Sequence, residues 1–148
     1  MAVVERTASI NATPSELWAI LANFAAISGW APNVDHSCLM TDQAHGLGAV
    51  RRIQTGGSTV LETIESWEPE NSLAYTITGL PPVIKRVTNT WRLAPTGSQT
   101  RVTLTSDIDA GPRPPQQLVA KIVGRKLGEA SDQMLAGLAV AVKQAANQ

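Results

Sequence analysis

The stretch that decides the fold is the last one, 114-PPQQLVAKIVGRKLGEASDQMLAGLAVAVKQAA-146. After Pro115 it contains no proline, and Val119, Val123, Leu127, Ala130, Met134, Leu138 and Ala141 recur at helical spacing. At about 100° per residue they make one apolar stripe, with Lys121, Arg125, Glu129, Asp132 and Lys143 on the opposite side. The spacing predicts one amphipathic helix of roughly 30 residues, about 45 Å long. A rod of that length needs a large apolar surface to lie on. Gly124, Gly128 and Gly137 interrupt it at a cost of about 1 kcal/mol each relative to alanine. Ser131 sits at the edge of the stripe. Two accounts fit these small residues: close packing of backbone on a sheet, or room left for something other than protein.

Everything upstream reads as material for that surface. Residues 3–10 are a first strand rich in β-branched side chains. Thr13-Pro14-Ser15-Glu16 then supplies an N-cap, a proline at N1 and a glutamate at N3, the capping-box order that opens a helix carrying Leu17, Trp18, Ile20 and Leu21. A second helical turn over 23–28 ends at Gly29-Trp30-Ala31-Pro32. Strands follow at 36–41, 47–55, 59–67, 72–78, 85–93 and 100–109, broken by turns such as Gly56-Gly57, Gly79-Leu80-Pro81-Pro82 and Pro95-Thr96-Gly97-Ser98. Short connections make sequential strands neighbours, so the sheet is antiparallel. The expected class is α+β: seven curved antiparallel strands around a long C-terminal helix, with two short helices after the first strand. Such a sheet twists and curls, and one helix fills less than its hollow, so an internal cavity is expected.

The chain has 148 residues, 43% hydrophobic and 16% charged, which fits one domain over 1–148 with a substantial core. Lys+Arg and Asp+Glu both number 12. No basic run or basic helical face stands out, which argues against nucleic acid and disfavours a membrane surface, although an apolar loop tip could still touch one. The lone Cys38 allows no internal disulfide and fits a reducing compartment. The start, MAVVERTASI, is not a secretory signal, and no apolar run is long enough to span a bilayer. The expectation is a cytoplasmic monomer or small homo-oligomer without integral membrane association. His36, His45 and Cys38 match no metal-ligand spacing, no serine sits in a nucleophile elbow, and no glycine loop cradles phosphate, so neither metal nor cofactor is expected.

Strand parity decides which side chains face the hollow. Val87, Asn89, Trp91 and Leu93 share the apolar face of their strand, as do Leu73, Tyr75 and Ile77, and Val102, Leu104, Ser106 and Ile108. Two strands are ambiguous. Val60, Glu62, Ile64 and Ser66 alternate with Leu61, Thr63, Glu65 and Trp67, and Arg51, Ile53 and Thr55 with Val50, Arg52 and Gln54.

The stretches INATPSELWAIL (10–21), GWAPNV (29–34), GLGAVRRI (46–53), ETIESWEPEN (62–71), LAYTITG (73–79) and the hairpin WRLAP…TRVTLTSDID (91–109) resemble the START-like superfamily, also called SRPBCC, in its polyketide cyclase/dehydrase-like branch. The likeness covers essentially the whole chain. It implies the helix-grip fold of the birch-pollen-allergen type, with a ligand tunnel between sheet and helix. It also implies that Glu62 faces the pocket, as the matching carboxylate does in plant hormone-receptor relatives, taking Val60 and Ile64 with it. Ile53, Thr55 and Arg51 turn inward on the same comparison, and His36 stands where those receptors carry a pocket-mouth lysine. The expected cavity lining is completed by Trp30 at an entrance and by Leu127, Ser131 and Met134 from the helix.

Arg51, Glu62, His36 and Asn89 are the polar groups this reading brings to one concave face, and Arg51 with Glu62 fits either a satisfied internal ion pair or a ligand-orienting pair. For function, the cavity would bind a hydrophobic small molecule such as a lipid, polyketide or isoprenoid. Alternatively a cyclase/dehydrase would use Glu62 or His36 to shuttle protons and Arg51 to steady an enolate. A third reading has the cavity vestigial and the protein working through an interaction surface.

Overall fold

In the computed structural model, which describes residues 2–147, the elements run β1 (Ala2–Ile10), α1 (Pro14–Ala22), a 3-10 helix (Phe24–Gly29), β2 (His36–Leu39), β3 (Val50–Thr55), β4 (Ser58–Glu68), β5 (Ser72–Thr78), β6 (Arg86–Thr96), β7 (Gln99–Asp109) and α2 (Pro114–Ala146). The capping box at α1 forms as its sequence dictates. The Glu16 amide donates to Thr13 Oγ1 at 3.2 Å, and the Thr13 amide donates back to Glu16 Oε1 at 3.1 Å. β3 starts three residues later than the alternation predicts. Gly46 and Gly48 both take left-handed backbone angles, which break the regular strand geometry there, although the Gly48 amide still donates to the Ile64 carbonyl at 3.0 Å.

The strands form one sheet in the order β1-β7-β6-β5-β4-β3-β2, each neighbouring pair antiparallel. Six strands are a meander. β1 leaves that order and closes against β7, with Ala2 opposite Ile108 and Ile10 opposite Thr100. A register shift between Ile64 and Ser66 bulges β4 and adds to the bend.

α2 is one uninterrupted helix of 33 residues lying against β1, β7 and α1. Its buried line runs through Ala120, Gly124, Gly128, Ser131, Leu135, Leu138 and Val142. Over the first half of the helix that is one residue round from the predicted stripe, whose Val119, Val123 and Leu127 become half-buried flanks, whereas its Met134 and Leu138 are buried as predicted. The glycines explain the rotation. A methyl at Gly124 would sit 2.9 Å from Val4 Cγ2, one at Gly128 would meet the Arg6 guanidinium and Val4, and one at Gly137 would run into the Trp30 carbonyl and Pro32. Gly124, Gly128 and Gly137 are packing residues, which decides between the two accounts of them. Arg6 also reaches across to Asp132, 3.3 Å away, clipping β1 to the rod.

The inner face of β5, β6 and β7 is buried as parity predicts, through Leu73, Tyr75, Ile77, Val87, Asn89, Trp91, Leu93, Val102, Leu104, Ser106 and Ile108. α1 lays Leu17, Trp18 and Leu21 into the same core, with Trp18 edge-on to Trp67 at 5.0 Å. The Thr100 hydroxyl donates to the Ala12 carbonyl at 2.7 Å, tying the approach to α1 onto β7.

Candidate functional site

Five adjacent strands each contribute one polar side chain to the inner face: Arg51 from β3, Glu62 from β4, Tyr75 from β5, Asn89 from β6 and Ser106 from β7. Register places Arg51 opposite Glu62, Tyr75 opposite Asn89 and Asn89 opposite Ser106. Between β4 and β5 the file steps by two residues, since Glu62 faces Ile77 and Tyr75 faces Ile64. None of the five is more than 7% exposed. Polar groups so deep are costly unless partnered.

Most of them are. Arg51 Nε and Nη2 each lie 2.7 Å from Glu62 Oε1, and Arg51 Nη1 donates to the Phe24 carbonyl at 2.8 Å. The guanidinium stacks on the Phe24 ring, 3.7 Å from its centroid, and stands 4.7 Å from that of Tyr75. The internal ion pair is therefore formed. At the other end, the Ser106 hydroxyl donates to Asn89 Oδ1 at 2.6 Å, and Asn89 Nδ2 donates to the Tyr75 oxygen at 3.4 Å. The indole N–H of Trp91 donates to the same oxygen at 3.3 Å.

Tyr75 stands between the two groups with a donor to spare. Its oxygen accepts two hydrogen bonds, and among the described residues no acceptor takes its own proton. Burial, and after it the Glu62 carboxylate, push the phenol above its ordinary 10.0, while Arg51 and the two donors pull the other way. Tyr75 is thus a neutral hydrogen-bond donor held inside the sheet.

The structure brings Ile53, Ile64, Ile77, Val87 and Trp91 to this face as buried neighbours of the polar file, with Val60 half-buried beside them. α2 supplies Ser131 and Met134, both buried, and Leu127, half-buried. Trp30 is half-buried and packs edge-on against Trp91, centroids 6.0 Å apart.

Two expected lining residues are elsewhere. His36 is exposed, because it pairs with Gln54 on the edge strand and so shares the outer face. Its neighbour Ser37 points in, donating to the Ala25 carbonyl at 2.7 Å and accepting from the Ser28 amide at 3.0 Å. Thr55 is also exposed, since β3 ends there at the turn. Phe24, the lid over Arg51, was missed. Its signal was that the one Phe of the chain falls in the turn FAAISG, where Ile27 is the only other large side chain.

The expected chamber is not an open one along this file, because Phe24 and Trp30 occupy the space over it. Two hollows open at the surface. One, of about 260 Å³, lies along the seam where Gly29, Trp30 and Pro32 meet Gly137, Val140 and Gln144. The other, of about 370 Å³, lies between β1 and the first half of α2. Among the described residues, no three His, Cys, Asp or Glu side chains lie close enough to share a metal ion.

With this geometry the sequence matches, over residues 1–143, the family described as polyketide cyclase/dehydrase and lipid transport. The chain belongs to that family. None of the curated proteins matches it. Solved structures similar to the family member described here include a Thermobifida fusca protein, 22% identical with a TM-score of 0.81, covering 97% of this chain and 95% of its own. The Zhui aromatase/cyclase from Streptomyces sp. R1128 is 16% identical with a TM-score of 0.78 over 97% of this chain and 94% of that one. A START superfamily protein from Mycobacterium smegmatis is 14% identical with a TM-score of 0.73 over 96% and 97%. At these identities the likeness is one of fold, and it establishes the START-like helix-grip architecture.

Proposed function

We propose that this protein carries or senses a hydrophobic small molecule, a lipid, polyketide or isoprenoid, held between the sheet and α2. The reading rests on the unclaimed Tyr75 proton. Trp91 and Asn89 use the acceptor side of this hydroxyl, but among the described residues its buried proton has no partner, which lowers stability until something supplies an acceptor. A ligand carbonyl or hydroxyl supplies the missing acceptor, and the surrounding Ile64, Ile77, Val87 and Trp91 supply its apolar bed. Entry is through the seam at Trp30, whose displacement from Trp91 uncovers the polar file. The family's association with lipid transport supports the same reading. The working compartment is the cytoplasm.

The test is organic extraction of natively purified protein followed by mass spectrometry, with titration of a fluorescent fatty-acid analogue into the stripped protein. A co-purifying apolar molecule, and affinity for the analogue that falls about tenfold in Tyr75→Phe, are expected. An empty extract together with no analogue binding overturns the proposal.

The second reading, a cyclase/dehydrase, is favoured by the same triad of groups. A neutral phenol, the Glu62 carboxylate and the Arg51 guanidinium stand within one cluster, a donor, a base and a cation for an enolisable poly-carbonyl chain. Turnover of a poly-β-ketone that vanishes in Glu62→Gln while binding persists would establish it.

A further inference from the structure

The twelve-to-twelve balance of charge, on which a membrane surface is disfavoured, hides a local excess that reverses that expectation for one half of α2. Between Asp109 and Glu129 there are four basic residues, Arg113, Lys121, Arg125 and Lys126, and no acidic one. The rest of the chain is correspondingly acidic. No acid occupies the first turn of α2 either, although the helix dipole would favour one there. The basic side chains are all exposed. Interleaved with them on the solvent side of the helix are two large apolar side chains one turn apart, Leu118 at 60% exposure and Ile122 at 51%. They point away from the line that packs on β1, so the fold gives them nothing to cover. Val3, 59% exposed on the edge strand, borders the same region across the groove that Lys121 and Arg125 line.

Apolar tips ringed by lysine and arginine suit a surface that is negative outside and greasy a few ångströms in. We infer that the first half of α2 docks on an anionic lipid bilayer, with Leu118 and Ile122 entering the headgroup region and Lys121, Arg125 and Lys126 over the phosphates. Nucleic acid would match the charge but gives Leu118 and Ile122 no role. The groove's one acid, Glu5, stands on β1 across from Lys121 and Arg125, and the first acids on the solvent side of the helix, Glu129 and Asp132, come only after Lys126, so that side is basic over the first half of α2. No helix is long and apolar enough to cross the membrane, so attachment is to its surface. The inference does not depend on what the interior binds.

Sedimentation with sucrose-loaded vesicles tests it, comparing pure phosphatidylcholine with phosphatidylcholine containing a minority of phosphatidylglycerol. The wild-type chain should pellet with the anionic vesicles, less so as salt rises, and not with the neutral ones. Lys121→Gln/Arg125→Gln should weaken partition by roughly thirtyfold, about fivefold per charge. Leu118→Ser/Ile122→Ser, with all four positions on the surface and the melting curve unchanged, should weaken it about tenfold. Failure to pellet overturns the inference. Loss with the charge pair but not the apolar pair, displacement by duplex DNA at equal phosphate, or a dimer in free solution abolished by Leu118→Ser/Ile122→Ser would each overturn it in favour of another partner. A negative result here leaves the fatty-acid titration untouched, so the two proposals fail separately.

Discussion

On the β1–β7 side of the sheet, α2 comes so close that Gly124 and Gly128 leave no room for a methyl group. On the β3–β6 side, the cover is two aromatic rings from one short segment, Phe24 on Arg51 and Trp30 on Trp91. The first closure seats the backbone of a 33-residue helix on the side chains of Val4, Arg6 and Ile108 and cannot loosen without moving an element. The second is a pair of side chains that rotamer changes can displace. Beneath the rigid closure the strand side chains are mostly apolar, and beneath the movable one lies the polar file. On the proposed reading, one half is structural and the other meets the ligand.

The contrast is broken most severely at the ion pair. Glu62→Ala should cost about 3–5 kcal/mol in urea unfolding, because it strands a buried guanidinium. The double change Arg51→Met/Glu62→Leu should recover most of that, if the pair serves more than stability. A double variant as unstable as the single one would mean the pair is simply part of the core.

Next comes the seam. Gly137→Ala should destabilise by about 2 kcal/mol despite alanine's better helix propensity, because the clash is with the Trp30 backbone. Gly124→Ala meets only side-chain methyls, of Val4 and Ile108, which can shift, and should cost under about 1 kcal/mol. Equal losses at the two sites would erase the distinction between a seam set by backbone and one set by side chains.

The smallest effect sharpens the role of Tyr75. Its folded-state pKa lies above the ordinary 10.0, so its contribution is fully present below that value and is lost as pH rises through the folded one. Wild-type stability should therefore fall with alkali above about pH 10, and Tyr75→Phe should flatten that fall while changing neutral-pH stability by less than about 1 kcal/mol. Parallel alkaline profiles for the two proteins would remove Tyr75 from the account.

How much of this could be read in advance follows the same divide. β5, β6 and β7 alternate cleanly, so Tyr75, Asn89, Trp91 and Ser106 were placed by parity alone. The Thr13–Glu16 cap was legible because it is local chemistry. β3 and β4 carry apolar and charged side chains on both faces, and only a family likeness turned Arg51 and Glu62 inward. That likeness also put His36 at the mouth, where edge-strand register sends it outward and brings Ser37 in. The stripe on α2 was rotated because glycine counts as nothing in an apolar pattern, yet glycines mark where the helix comes closest. Contacts between distant segments, Phe24 on Arg51 and Trp30 on Gly137, left no periodic trace.

One consequence belongs to the chain before it is finished. β1 has a single strand partner, and that partner is β7. During synthesis Ile10 must wait for Thr100 and Ala2 for Ile108, and the seat of α2 does not exist until they meet. The meander from β2 to β7 can zip by short steps, whereas the last closure spans nearly the whole sequence and sets the pace of folding. Pulse-labelled hydrogen exchange should find the β1 amides protected late and together with the β1-facing amides of β7, after the hairpins between them.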